Sequence, residues 1–267
     1  MKDVKGGLER VILPDSLPNQ ISCASSPGIS HDTLFEGRLH CLQYRQGYRF
    51  SIDAVLLAHF TRLRQQDNIL DLGAGCGVVS LILSYRWPSV RVVGLEVQDS
   101  LVRLCRDNIA LNKLAGRLQV IKGDLRQIKR LLAAGSFDQV VCNPPYYKCG
   151  SGRDNLEAQQ AIARHEIKAE LTDILTAAAF ALKNRGRATF VFPAERGAVL
   201  LAALSRNKLE PKRLQIVYGY PGGKGRLILV EAVRGGGEDL QILPPFYIYD
   251  APHDRQYSAE MAALYLP

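Results

Sequence analysis

The residues of this chain best suited to chemistry form a tetrapeptide, Asn143-Pro144-Pro145-Tyr146, directly after an apolar run from Phe137 to Cys142. Consecutive prolines fix the backbone and remove two N–H groups, so the carbonyls here act only as hydrogen-bond acceptors. The side-chain oxygen of Asn143 adds another acceptor beside the Pro144 carbonyl. Such a set suits an NH₂ donor. With both hydrogens engaged, the nitrogen turns pyramidal and its lone pair points at an electrophile, so that positioning and electrostatics supply the catalysis. Tyr146 offers a flat face on which a planar base or amide can stack. The scheme requires no metal and no covalent nucleophile.

A second constellation has the features of a nucleotide-type cofactor site. In Asp71-Leu-Gly-Ala-Gly-Cys-Gly77 the glycines permit a tight turn and a close approach of backbone to ligand. The spacing differs from the G-x-G-x-x-G of dinucleotide enzymes, and the lysine of a phosphate-binding loop is missing. Glu96 ends the next apolar run, where a carboxylate can accept hydrogen bonds from both hydroxyls of a ribose. Asp124 follows a third run and is placed to accept from an adenine amino group, while the Leu125 N–H can reach a ring nitrogen. Taken singly, the glycines could be only a strand-to-helix turn and each acid an ordinary exposed carboxylate. Acids placed after successive strands argue for a site.

These residues need elements to hold them. Strand candidates at 68–72, 91–95, 118–121 and 137–142 alternate with helical segments at 78–85, 98–111 and 125–132. Alternation of this kind predicts a doubly wound α/β fold with a mostly parallel sheet, because parallel strands need crossover helices. Further on, helices are expected at 169–182 and 195–205 and a strand at 187–192. Strands at 215–218 and 226–233, joined through Pro221-Gly-Gly-Lys-Gly225, form an antiparallel C-terminal hairpin. Before the first sheet strand, residues 34–43 suit a hairpin around Glu36-Gly37, and 51–63 carry helical spacing. The chain divides accordingly into a loosely structured lead-in (1–31), a hairpin and helix covering the cofactor site (32–65), a catalytic domain (66–235) and a tail packed on it (236–267).

A formal charge of +8 with a pI near 9.2 favours a polyanionic partner, although Lys and Arg are spread along the whole length. The 6 cysteines include no C-x-x-C pair and no zinc spacing, which predicts reduced structural thiols and no metal site. No apolar run is long enough to span a bilayer and the charged start leads into no signal-peptide core, so the expected location is the cytoplasm.

With these motifs in hand, residues 66 to about 233 resemble the class I S-adenosylmethionine-dependent methyltransferases. The resemblance implies a seven-stranded Rossmann-like sheet and S-adenosyl-L-methionine as cofactor. It implies that Asp71, Gly73, Ala74, Gly75 and Gly77 surround the methionine and ribose, that Glu96 with Val97 holds the ribose, that Asp124 with Leu125 reads the adenine, and that Asn143 also borders the cofactor. Asn143-Pro-Pro-Tyr146 resembles the signature of enzymes that methylate adenine N6, guanine N2 or a glutamine amide. Gly47-Tyr-Arg-Phe-Ser-Ile-Asp-Ala-Val-Leu-Leu57, Ala163-Arg-His-Glu166 and Pro244-Pro-Phe-Tyr-Ile-Tyr-Asp250 look like the bacterial family that methylates adenine N6 in the anticodon loop of valine tRNA.

That likeness implies an RNA substrate, tRNA first, with guanine N2 and protein glutamine as alternatives and a non-enzymatic RNA scaffold as the contrasting class. It places Arg49, Phe50, Ser51 and Asp53 against the cofactor, although Ser51 also suits an N-cap. His165 could touch substrate or Tyr146, or make a structural hydrogen bond. Lys148, Arg153, Arg164, Lys224 and Arg226 are candidate phosphate contacts or solvated surface charges.

Overall fold

The computed structural model describes residues 28–46, 51–144, 170–254 and 256–267. Among these, β1 (Ile29–Leu34) and β2 (Leu39–Tyr44) form a separate antiparallel hairpin, and α1 (Ile52–Phe60) follows. The main sheet is built from β3 (Asn68–Leu72), β4 (Arg91–Glu96), β5 (Leu118–Lys122), β6 (Phe137–Cys142), β7 (Leu182–Pro193), β8 (Leu209–Tyr218) and β9 (Gly225–Arg234). Two-residue strands β10 (Gln241–Ile242) and β11 (Phe246–Tyr247) pair with β8 and bring the total to 9. The order is β10-β8-β9-β7-β6-β3-β4-β5, with β5 through β7 parallel and β9 antiparallel between β7 and β8. The expected mostly parallel sheet with its antiparallel hairpin is therefore present, widened at one edge by the tail.

Helices α2 (Val78–Arg86) and α3 (Asp99–Leu111) join α1 on one face. Helices α4 (Ile128–Leu131), α5 (Leu171–Ala181) and α6 (Gly197–Arg206) cover the other. Both faces are thus dry, which is why β3 and β6 read as continuous apolar runs instead of alternating. α3 shows the opposite pattern: Leu101, Val102, Leu104, Cys105 and Ile109 are buried while Arg103, Arg106 and Asp107 face out. Each Leu-sized side chain so buried contributes about 1.5–3 kcal/mol. A last short helix, α7 (Ala259–Ala263), is capped by Ser258, whose Oγ accepts from Met261 N at 3.1 Å.

Several elements differ in extent from the sequence expectation, each for a local reason. The hairpin expected at 34–43 has longer arms, because the polar residues Ser30, His31 and Asp32 hide a strand whose outer face is solvated. β7 begins at Leu182 because the polar stretch Lys183-Asn-Arg185 continues it past an irregularity between Phe137 and Gln139 of β6. Pro211 masks the first half of β8; the strand tolerates it beside a register shift between Pro211 and Arg213. The segment expected as one helix at 125–132 divides into a 3₁₀ turn (Leu125–Gln127) and α4. Glu231, 1% exposed in the middle of β9, is held by Arg62, just beyond the end of α1, and by Arg213 of β8, whose Nη1 lies 3.2 Å away. This buried charge cluster ties the end of α1 to the strands on which the sheet edge is built.

Candidate active site

Register places the site. Asp71 pairs with Gly94 on one side and Val141 on the other, so Gly73, Glu96 and Asn143 each lie two residues further along and form a row. Glu96 pairs in turn with Lys122, and Asp124 lies two residues beyond it. Strand order then sets Asp124, Glu96, the glycine loop and Asn143 side by side at the carboxyl ends of β5, β4, β3 and β6. At about 4.8 Å per strand, the row from Asn143 to Glu96 spans about 10 Å. Ligands of open parallel sheets bind at this edge.

The loop after β3 is shaped by its glycines, with φ of 74° at Gly73, 59° at Gly75 and 88° at Gly77. Gly73 N and Ala74 N both donate to Leu95 O, at 2.8 and 3.1 Å, which holds the loop against β4. A Cβ added at Gly73 would meet nothing within 4 Å, so the bare backbone there borders open space. At Gly77 the same atom would lie 2.5 Å from Cys105 Sγ, so α2 begins in close contact with α3. Glu96, 5% exposed, receives Gly75 N at 2.9 Å on Oε2, and Val97 N at 3.0 Å and Gln98 N at 2.9 Å on Oε1. Three backbone donors thus converge on the carboxylate. Asp71 lies buried beneath the loop, where Ser80 Oγ donates to it at 2.7 Å. Burial raises its pKa from the ordinary 3.8 to about 6, opposed by the Ser80 hydrogen bonds and assisted by the Glu96 charge.

At the far end of the row, Asp124 caps the 3₁₀ turn by accepting from Arg126 N at 2.9 Å, and both its oxygens also take the Arg126 guanidinium. The side-chain hydrogen bonds from Arg126 hold this carboxyl below the usual carboxylate range. It is an anionic acceptor at neutral pH. The Leu125 N–H begins the turn, where first-turn amides lack an intrahelical partner. Val97 is 36% exposed, an apolar face at the rim beside Glu96.

On the other flank, Ser51 caps α1 by accepting from Asp53 N at 3.4 Å, the alternative role that the sequence left open for it. Burial raises the Asp53 pKa, opposed by Ser51 and by the nearby Arg226 charge. Arg226 belongs to the start of β9. Lys224 and Arg226 sit exposed at that start. Pro144 follows Asn143 at the end of the described segment. Arg49, Phe50, Pro145, Tyr146, Lys148, Arg153, Arg164 and His165 lie outside the described residues.

Supporting residues escaped the sequence reading. Ser80 looked like any helical serine, and Arg126 like any surface arginine. Asn108, 0% exposed, donates from Nδ2 to Leu42 O and Cys76 O, both at 2.9 Å, and accepts from Leu42 N at 2.6 Å. It joins hairpin, α3 and glycine loop; an asparagine on the apolar face of a helix was the available signal. The described cysteines Cys41, Cys76, Cys105 and Cys142 are free and buried.

A nucleotide-type loop, a strand-end acid and an Asn-Pro pair on one sheet edge define a methyltransferase. Residues 52–199 match the family described as the methyltransferase small domain, and the chain belongs to that family. It is an S-adenosylmethionine-dependent methyltransferase. The chain is 31% identical over 233 residues to the tRNA1(Val) (adenine(37)-N6)-methyltransferase of Shewanella halifaxensis (strain HAW-EB4), covering 84% of this chain and 94% of that one. It is 32% identical over 164 residues to the protein of the same name from Shewanella sp. (strain MR-4), covering 61% and 68%. Among solved structures, a predicted O-methyltransferase from Agrobacterium tumefaciens has a similar fold, with a TM-score of 0.64, 19% identity and coverage of 79% and 94%. TrmN from Thermus thermophilus aligns with a TM-score of 0.51 and 17% identity over 68% of this chain and 48% of that one. The donor set fits the cofactor: bare backbone at Gly73, a buried carboxylate at Glu96, an anionic acceptor at Asp124 and an apolar rim at Val97. Among the described residues, no helix is long and apolar enough to cross a membrane.

Proposed function

We propose that the chain methylates N6 of an adenine in tRNA, in the cytoplasm. The observation that carries this reading is the row at the sheet edge, in which Asn143 follows β6 level with Gly73. S-adenosylmethionine held there would supply an electrophilic methyl on a sulfonium for the amine lone pair, with the proton of the methylated nitrogen passing to water. Asn143 Oδ1 and the Pro144 carbonyl accept from the amine hydrogens and orient its lone pair. Glu96 holds the ribose hydroxyls, sharing its oxygens with three backbone amides, and Asp124 accepts from the adenine amino group of the cofactor. Gly73, Ala74, Gly75, Gly77 and Asp71 shape the loop around the methionine end, with Val97 and Leu125 at the adenine and Phe50, Ser51 and Asp53 closing the site. Pro145 stiffens the catalytic segment and Tyr146 stacks the target base, which is flipped or already unpaired. Lys148, Arg153, Arg164, His165, Lys224 and Arg226 face the RNA. The names of the relatives support tRNA as the substrate class.

The test is incubation of purified protein and methyl-labelled cofactor with RNA from cells lacking the gene, followed by nucleoside mass spectrometry. N6-methyladenosine is the expected product; N2-methylguanosine, or label only in protein glutamine, overturns the reading. Asn143→Ala should lower kcat about 10²-fold or more with cofactor affinity retained, because its oxygen acts most strongly as the nitrogen changes geometry.

A further inference from the structure

A second concavity, of about 560 Å³, opens where the β8–β9 loop meets the C-terminal tail, lined by Tyr220, Lys224, Arg226, Tyr249, His253 and Asp254 together with glycines of the loop. It shares the edge of the active site. β7 and β8 both run antiparallel to β9, so β8 is parallel to β6 and its end at Tyr218 emerges on the same side as the end of β6. Two to three strand spacings separate the pocket from Asn143, about 10–14 Å. Cys142 is level with Phe190, and Phe190 with Val230, so Arg226, four residues nearer the start of β9, lies beyond the level at which β6 ends.

The chemistry of this pocket is unspent. Among the described residues, neither Lys224 nor Arg226 makes a hydrogen bond or an ion pair, and Asp53 is the acid whose charge Arg226 influences. The Asp254 carboxylate is engaged within its own loop, accepting from Ala251 N at 2.8 Å. Tyr249 is backed by Tyr257 at 5.7 Å between ring centroids, and Tyr257 stacks on Tyr265 at 5.6 Å, so the ring is held in a fixed aromatic row. Tyr220 is 36% exposed. Aromatic faces beside cations that make no hydrogen bond or ion pair among the described residues match a nucleotide: ring to base, cation to phosphate.

We propose that this pocket holds a nucleotide flanking the methylated one on the same RNA strand, its base against Tyr220 and Tyr249 and its phosphate at Lys224 and Arg226. The inference rests on the RNA reading above. Stacking is tolerant of base identity, so the pocket fixes the position of the strand while the target base enters the site beside Asn143.

The test is RNA affinity, measured with an anticodon stem-loop carrying the target adenine and with copies bearing one abasic nucleotide on either side of it. For the unaltered protein, one flanking abasic position should weaken binding about tenfold. Tyr220→Ala should weaken binding of the intact RNA by a similar factor and lose little more on the abasic copy, while Tyr220→Phe keeps the ring and the affinity. Thermal unfolding of each variant verifies folding. Losses that multiply, or a Tyr220→Ala affinity equal to that of the unaltered protein, overturn the pocket alone if the unaltered protein still binds and methylates this RNA. Failure of the unaltered protein to bind it overturns the RNA reading and the pocket together.

Discussion

Glu96 accepts three backbone N–H groups, so its removal acts on the loop as well as on the ligand. Glu96→Ala should weaken cofactor binding at least tenfold by calorimetry while the cooperative unfolding transition persists; unchanged affinity in the folded variant would take Glu96 out of the site. Asp71 offers a pH signature. Its folded pKa, about 6, lies above the ordinary 3.8, so its stability contribution is full below the ordinary value and is lost as pH rises through about 6. Relative to Asp71→Asn, the cofactor-free protein should gain about 3 kcal/mol as pH falls from 7 to below 4. Urea titrations of both proteins across that range check it, and a parallel pH profile for the two would refute the shift. Glu96 and Asp71 were visible in the sequence because strand ends and glycine loops have local signatures. The Arg126 clasp on Asp124 and the Ser80 hydrogen bond were not, since both depend on side-chain directions that spacing alone leaves open.

Elements built on continuous apolar runs, as at β3, β4 and α2, or on a period-3.6 pattern, as at α3, were legible almost to the residue. Those carrying polar or proline residues in mid-strand were shortened, because tertiary pairing in β7 and β8 outweighs local propensity. The crossing of loop, α2 and α3 was hidden for another reason: the requirement at Gly77 comes from Cys105, distant in sequence. Gly77→Ala combines a φ of 88° with a Cβ 2.5 Å from Cys105 Sγ. A destabilisation of about 2–4 kcal/mol is expected, the backbone contributing roughly 1–2 and the contact the rest. Adding Cys105→Ala should recover the contact part and leave the backbone part. A double-mutant cycle by denaturant unfolding tests this, and strict additivity of the two substitutions would show that the contact carries no strain.

For the whole molecule, a formal charge of +8 becomes an association property only if cations without internal partners line the path of a polyanion. Arg62, Arg126 and Arg213 are engaged by Glu231 or Asp124 and are poor candidates, whereas Lys224 and Arg226 make no hydrogen bond or ion pair among the described residues. Affinity for a tRNA stem-loop should therefore fall linearly with salt on logarithmic axes, with a slope of about −0.7 per neutralised phosphate of single strand. Lys224→Ala and Arg226→Ala should each make that slope shallower by about 0.7 and weaken binding across RNA sequences alike, since phosphate contacts carry no sequence information. Arg126→Ala should leave the slope nearly unchanged, because its charge is already compensated by Asp124. Fluorescence anisotropy titrations at several salt concentrations measure all three, with cofactor affinity as the check on folding. An RNA affinity independent of ionic strength would remove the electrostatic basis for a nucleic-acid substrate and shift the site towards a glutamine amide, which the same Asn-Pro acceptors would hold.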